Sequence, residues 1–138
     1  MNRGAETHFL NVDLEVSSAS DLSWLVEELG EDVTNLYCGP AQGHFLATFE
    51  AKPLFGDPDT LIGYFCRLVE ALPDERRRVW DEAFLKIFDI GYEAGNQSPA
   101  YQSDLRPETL VLVTRIGASL RITIYPASDS SGHVSSIP

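Results

Sequence analysis

No apolar run in these 138 residues approaches the ~18 that a membrane-spanning helix needs. The opening MNRGAETHFL has no apolar core of signal-peptide length. A cytoplasmic chain is the expectation. Only two cysteines occur, Cys38 and Cys66, with no metal-ligand spacing between them. They are expected as free thiols in a reducing compartment, Cys38 on a strand and Cys66 inside a helix. The three histidines, His8, His44 and His133, stand singly, with no partner two or four residues on. His8 and His44 fall on strands that should be neighbours but in opposite phases, so a joint metal site is not expected. No dinucleotide fingerprint, phosphate-binding loop, nucleophile elbow or zinc-protease motif is present. Catalytic residues, metal and cofactor are therefore all expected to be none.

Positive charge is scarce, and unevenly so. The first 51 residues carry Arg3 alone against nine acidic side chains, which supplies −8 of the net −11. A field of that sign repels nucleic acid and anionic lipid, both polyanions. It suits solubility, or a basic protein partner. The basic run Arg76–Arg78 does not alter this, because Asp74, Glu75, Asp81 and Glu82 flank it. Its spacings predict the helical ion pairs Asp74–Arg78 and Arg77–Asp81.

The residues that are present arrange themselves by period. His8 to Val16 alternates, with Leu10, Val12, Leu14 and Val16 on one face and Asn11, Asp13 and Glu15 on the other, which predicts a half-buried strand. Ser20 caps a helix whose stripe is Leu22, Leu25, Val26 and Leu29, stopped by Gly30. Val33–Cys38 and His44–Ala51 form a hairpin across the turn Gly39–Gly43, with Phe45, Ala47 and Phe49 inward. Asp57 and Pro58 start a second helix with Leu61, Phe65, Leu68, Val69 and Leu72 inward. Pro73 breaks it, and a further helical piece follows in which Val79, Trp80, Ala83 and Phe84 can pack.

The clearest unit is Leu85–Tyr125. It reads as a strand Leu85–Glu93, a polar loop Ala94–Leu105, a helix opened by Pro107 and closed by Gly117, and a strand Leu120–Tyr125. Leu110, Val113 and Ile116 should face inward from that helix, and Leu120, Ile122 and Ile124 from that strand. A loop of twelve residues is long for a compact domain, and such loops are often functional. The order β-α-β-β-α(α)-β, then α-β, predicts an α+β fold. It is a ferredoxin-like βαββαβ core with an added C-terminal α-β unit. The sheet should be five-stranded and mostly antiparallel, with helices on one face. Residues 1–127 are one domain, led in by a short mobile 1–7, and 128–138 is a Ser-rich flexible tail.

Alternation places a polar set on the opposite sheet face: Asn11, Asp13, Glu15, His44, Leu46, Thr48, Arg121, Thr123 and Tyr125. Asp89 joins them, since a lone buried carboxylate is costly. Asp13 and Glu15 share that face at roughly 6–7 Å, near a glycosidase separation, but alternating strands commonly produce such pairs. Such a face is either solvated, dimerised, or used for a partner or ligand. The candidate binding surface is Asp13, Glu15, His44, Asp89, Tyr101, Arg121 and Tyr125.

The segments Leu105–Leu110 (LRPETL), Ile116–Leu120 (IGASL) and Ile122–Tyr125 (ITIY) resemble the end of a bacterial domain-of-unknown-function family of small α+β proteins. Some members are thought to be immunity proteins beside toxins. The resemblance covers the C-terminal third and transfers no catalytic residue. Where such sequences have Ser or Thr before the proline, this one has Arg106, so the helix cap must come from Asp104 or elsewhere. The resemblance and the charge together imply a non-catalytic protein-binding domain, with a basic protein partner or a homodimer and neither nucleic acid nor membrane. The alternative is a small-molecule-sensing regulatory domain dimerising through its sheet.

Overall fold

Period-two alternation becomes a five-stranded sheet in a computed structural model that describes residues 6–51, 56–96 and 99–127. The strands are β1 (His8–Ser18), β2 (Val33–Ala41), β3 (His44–Ala51), β4 (Leu85–Glu93) and β5 (Ser119–Tyr125). The helices are α1 (Ser23–Leu29), α2 (Pro58–Glu70), α3 (Asp74–Glu82) and α4 (Pro107–Arg115), with a 3-10 turn at Gly30–Asp32. The spatial order is β2-β3-β1-β4-β5. Three of the four ladders are antiparallel, and β4 with β5 is parallel. The fold is thus α+β with an open, mostly antiparallel sheet. The lead-in 1–5 and the tail 128–138 lie outside the described residues.

One sheet face is apolar and carries the helices. Val12, Leu14 and Val16 of β1 meet Ala47, Phe49 and Ala51 of β3 and Phe88, Ile90 and Tyr92 of β4. Leu25 and Leu29 of α1, Leu61, Ile62, Phe65, Cys66 and Val69 of α2, Trp80 of α3 and Val113 of α4 close over them. Each fully buried side chain of this size stabilises by about 1.5–3 kcal/mol. Asp57 caps α2 as expected, accepting from the Thr60 amide at 2.8 Å, and Pro58 takes the first helical position. Both cysteines are free, and Cys66 is fully buried in α2. Burial pushes its thiol up to about 12.

Several expectations are corrected by packing. Leu10 is 42% exposed, because the β1–β4 register slips between Phe9 and Asn11, and Phe9 packs inward against Tyr92 instead. His8 is exposed, beside Glu93 at 3.6 Å. Helix α1 starts at Ser23 after an N-cap at Leu22, so Ser20 is not its cap. Strand β2 extends through Gly39, Pro40 and Ala41, and the turn is Gln42–Gly43 alone, both at positive φ (54° and 89°). That twist suits a two-residue hairpin. Phe84 is exposed and lies outside the core. Arg77 pairs with Asp81 at 3.0 Å as expected, but Arg76, not Arg78, makes the other pair, with Glu28.

In α4, Leu110 is exposed and Thr109 is buried. Helix α4 has no side-chain cap, from Asp104 or any other residue. Asp59, in the first turn of α2, accepts from the Arg106 amide at 3.0 Å and from the Thr109 hydroxyl. The start of α4 is thereby tied to the start of α2. At its other end the buried Trp80 donates Nε1–H to the Ile116 carbonyl at 2.8 Å. Lys86 points into the helical layer, with Nζ 3.3 Å from the Trp80 and Asp81 carbonyls at the end of α3. On β5, Leu120 packs on the core, but Ile122 and Ile124 are 56% and 64% exposed. No described helix covers the end of that strand.

Candidate functional site

The polar face stays open, and cross-strand register assembles its residues into rows. Glu50 of β3 lies opposite Asp13 of β1, Asp13 opposite Asp89 of β4, and Asp89 beside Arg121 of β5. Three carboxylates therefore sit on three adjacent strands, and direct neighbours in such ladders have Cα atoms about 4.5–5.5 Å apart. Alternation alone puts like charges on one face. Only register makes them neighbours, and like charges directly opposite destabilise a sheet.

Two of the three are compensated. Glu50 accepts from Nδ2 of Asn11 at 2.7 Å. Asp89 accepts from the Thr123 hydroxyl at 2.7 Å and from Arg121 Nη1 at 3.5 Å. Arg121 also donates to Glu15 at 2.8 Å, and its guanidinium pKa is raised chiefly by that hydrogen bond. Asp13 has no hydrogen-bond donor or cation among the described residues. Burial first, then Glu50 and Asp89, push its carboxyl from the ordinary 3.8 up to about 6.

Above the row lies a concavity of about 350 Å³, lined by Leu10, Asn11, Asp13, Glu50, Asp89, Gly91 and Tyr125. Gly91 supplies the floor because it has no side chain between Asn11 and Tyr125. The β1 bulge supplies a wall by turning Leu10 out. The Oδ1 atom of Asn11 is buried there without a donor.

Of the expected surface, Asp13, Glu15, Asp89, Arg121 and Tyr125 come together. His44 does not. It lies at the other end of β3, six residues from Glu50, which is about 20 Å along a strand. There it stacks edge-on with Phe84 at 5.3 Å. Tyr101 is on the opposite face, against the buried Tyr92 at 5.6 Å, where a second concavity of about 320 Å³ is lined by Thr7, Tyr92, Ala94, Tyr101, Ser103, Ile122 and Ile124. Asn11 and Glu50 were missed as site members. Both carried the signal, because alternation put Asn11 in phase with Asp13 and Glu50 in phase with Thr48.

The row can accept a positive charge or, near pH 6, a proton. Among the described residues no group of three His, Cys, Asp or Glu is placed to hold a metal ion, and no helix is long and apolar enough to cross a membrane. Family models, curated proteins and solved structures give no match to this chain.

Proposed function

We propose that this chain is a non-catalytic protein-binding domain whose open sheet face takes a cationic side chain from a basic partner. The observation that carries the reading is Asp13. It is a half-buried carboxylate flanked by Glu50 and Asp89, with no cation of its own among the described residues, at the wall of a concavity that a lysine or arginine side chain fits. A guanidinium or ammonium there neutralises a charge that the fold leaves uncompensated. The acidic balance of the first 51 residues adds long-range attraction for the same kind of partner. The immunity-like role implied by the C-terminal resemblance is one form of such binding, in a cytoplasmic bacterial setting. The strand order β4-β1-β3-β2 of the first four strands supports reading the core as ferredoxin-like, with β5 added beside β4.

The test is capture on the immobilised chain at low and at high salt, beside an Asp13→Asn, Glu50→Gln double variant. Wild type should retain a basic protein at low salt, release it at high salt, and lose it in the double variant. Binding should also weaken as pH falls below about 6, where Asp13 takes a proton. Absence of any basic protein at low salt refutes the reading.

A second reading, small-molecule sensing, is favoured by the other concavity, where Tyr92, Tyr101, Ile122 and Ile124 give apolar walls and Ser103 and Thr7 give hydroxyls. Thermal-shift screening against metabolites tests it. A stabilising ligand should lose its effect in Tyr101→Ala, and a flat response across a broad library counts against it.

A further inference from the structure

We propose that β5 is the interface of a homodimer, in which a second copy pairs antiparallel to its outer edge about a two-fold axis at Thr123 and joins two sheets into one. The inference depends on neither functional reading.

The two sheet edges are treated differently. At the β2 edge the register slips between Asn35 and Tyr37, and Pro40 lacks a backbone donor. Bulges and prolines are common devices that stop a strand from recruiting another chain. β5 runs from Ser119 to Tyr125 in unbroken register with β4, without proline, lysine or bulge. Ile122 and Ile124 stand beside this edge more than half exposed.

The backbone parity of β5 fixes which groups are free. The Ala94 amide donates to the Tyr125 carbonyl at 2.8 Å, so Tyr125 directs its backbone groups at β4. Alternation directs those of Thr123 and Arg121 the same way and leaves the N–H and C=O of Leu120, Ile122 and Ile124 facing outward. An antiparallel copy centred on Thr123 pairs Ile122 with the other Ile124, and Ile124 with the other Ile122, through these free groups. Leu120 then falls opposite Pro126, which has no N–H, so the ladder ends there.

The side chains are self-complementary in that register. The segment Arg121-Ile122-Thr123-Ile124-Tyr125 is a chemical palindrome apart from its ends. Ile122 and Ile124 meet on the helical side, which covers their exposed surface. Thr123 meets Thr123 on the open side. Arg121 lies opposite Tyr125, and neither obstructs the seam, because the guanidinium is held inward by Glu15 and Asp89 and the phenol ring lies over Gly91. Moving the axis to Ile124 would set Ile122 opposite Pro126, which has no N–H. Charge agrees with the choice of a second copy. The acidic Glu27, Glu28, Glu31 and Asp32 belong to α1 and the turn before β2, at the far side of the sheet from β5. Pairing through β5 therefore holds the acidic segments of the two copies apart.

The experiment is light scattering at the highest soluble concentration, with three variants. Wild type should show twice the 15.3 kDa chain mass. Ile124→Pro removes one outward N–H without touching the β4 ladder, and should give the single-chain mass with an unchanged circular dichroism spectrum. In a Cys38→Ser background, Thr123→Cys should form an intermolecular disulfide. Its Cα lies about 4.5 Å from its symmetry mate in a non-hydrogen-bonded pair, within disulfide reach. Arg121→Cys in the same background should stay uncross-linked, because its opposite residue is Tyr125. A monomeric wild type overturns the proposal. So does a dimer in which Arg121→Cys cross-links and Thr123→Cys does not.

Discussion

Replacing Asp13 by Asn should make this protein more stable, and the gain should depend on pH in a defined way. The substitution keeps the shape and removes the charge. The Asp13 carboxyl is raised from 3.8 to about 6 by burial, Glu50 and Asp89. At 1.36 kcal/mol per unit, that is about 3 kcal/mol. The carboxylate is only half-buried, so solvent and salt screen part of it, and about 1–2 kcal/mol is the working figure. The direction follows from proton counts. Below pH 3.8 the carboxyl is protonated in both states, and wild type and the Asp13→Asn variant should be equally stable. Between 3.8 and about 6 the folded state holds a proton that the unfolded state has lost, so wild-type stability falls as pH rises. Above about 6 both states are ionised and the penalty is complete. Urea denaturation of both proteins from about pH 4 to about pH 8 should give a difference near zero at the acid end, climbing to a plateau of about 1–2 kcal/mol, or roughly 3–8 °C in Tm. Added salt should shrink the plateau without abolishing it, because burial is its largest cause and the carboxylate neighbours are secondary. An Asp13→Asn variant no more stable than wild type at the alkaline end, or a difference that does not change with pH, refutes the argument that Asp13 is an uncompensated charge.

Three further outcomes follow from the helical side. Asp59→Ala removes the acceptor of the Arg106 amide and leaves the Thr109 hydroxyl, on a residue 2% exposed, without its acceptor. Urea denaturation should show a loss of about 2–4 kcal/mol. Trp80→Phe removes the hydrogen bond to the Ile116 carbonyl and opens a small void, and should cost about 1.5–3 kcal/mol by the same assay. Native-state alkylation followed by mass spectrometry should modify Cys38 before Cys66, because Cys38 is partly exposed while Cys66 is buried with its thiol pushed up to about 12. Equal labelling of both would contradict the packing of α2.

The sheet and its two faces were legible because they depend on local periods. Val12, Leu14 and Val16 alternate with Asn11, Asp13 and Glu15, and no long-range knowledge is needed to separate them. The phase of β4 was ambiguous by composition, and the cost of burying Asp89 decided it. Lys86 shows the limit of that reasoning. Its charge lies inward because the carbonyls at the end of α3 receive it, and nothing local to β4 reveals them. The tie between Asp59 and the start of α4 was hidden for the same reason, since Asp59 precedes Arg106 by 47 residues. Ile122 and Ile124 were placed on the correct face, but alternation cannot say whether a helix covers that face at a given strand. Leu10 was misplaced by one extra residue in one ladder, which no period encodes. That residue matters for the site, because Leu10 walls the concavity beside Asp13.

The row Glu50–Asp13–Asp89 could be anticipated only as a set of outward residues, and register turned the set into a site. Its asymmetry is what gives it direction. Arg121 holds Asp89 and also reaches past it to Glu15, one row away, and Asn11 holds Glu50. The compensating groups therefore sit at the two flanks and in the neighbouring row. The central carboxylate is the one left without a partner among the described residues, at the place where Gly91 keeps the floor of the concavity low. A sheet selected for stability alone has a cheap remedy, since an asparagine or threonine in place of Asp13 removes the repulsion without disturbing the core behind it. On the proposed reading a cation from a partner completes the row, and the stability that Asp13→Asn recovers is the cost of leaving the row open.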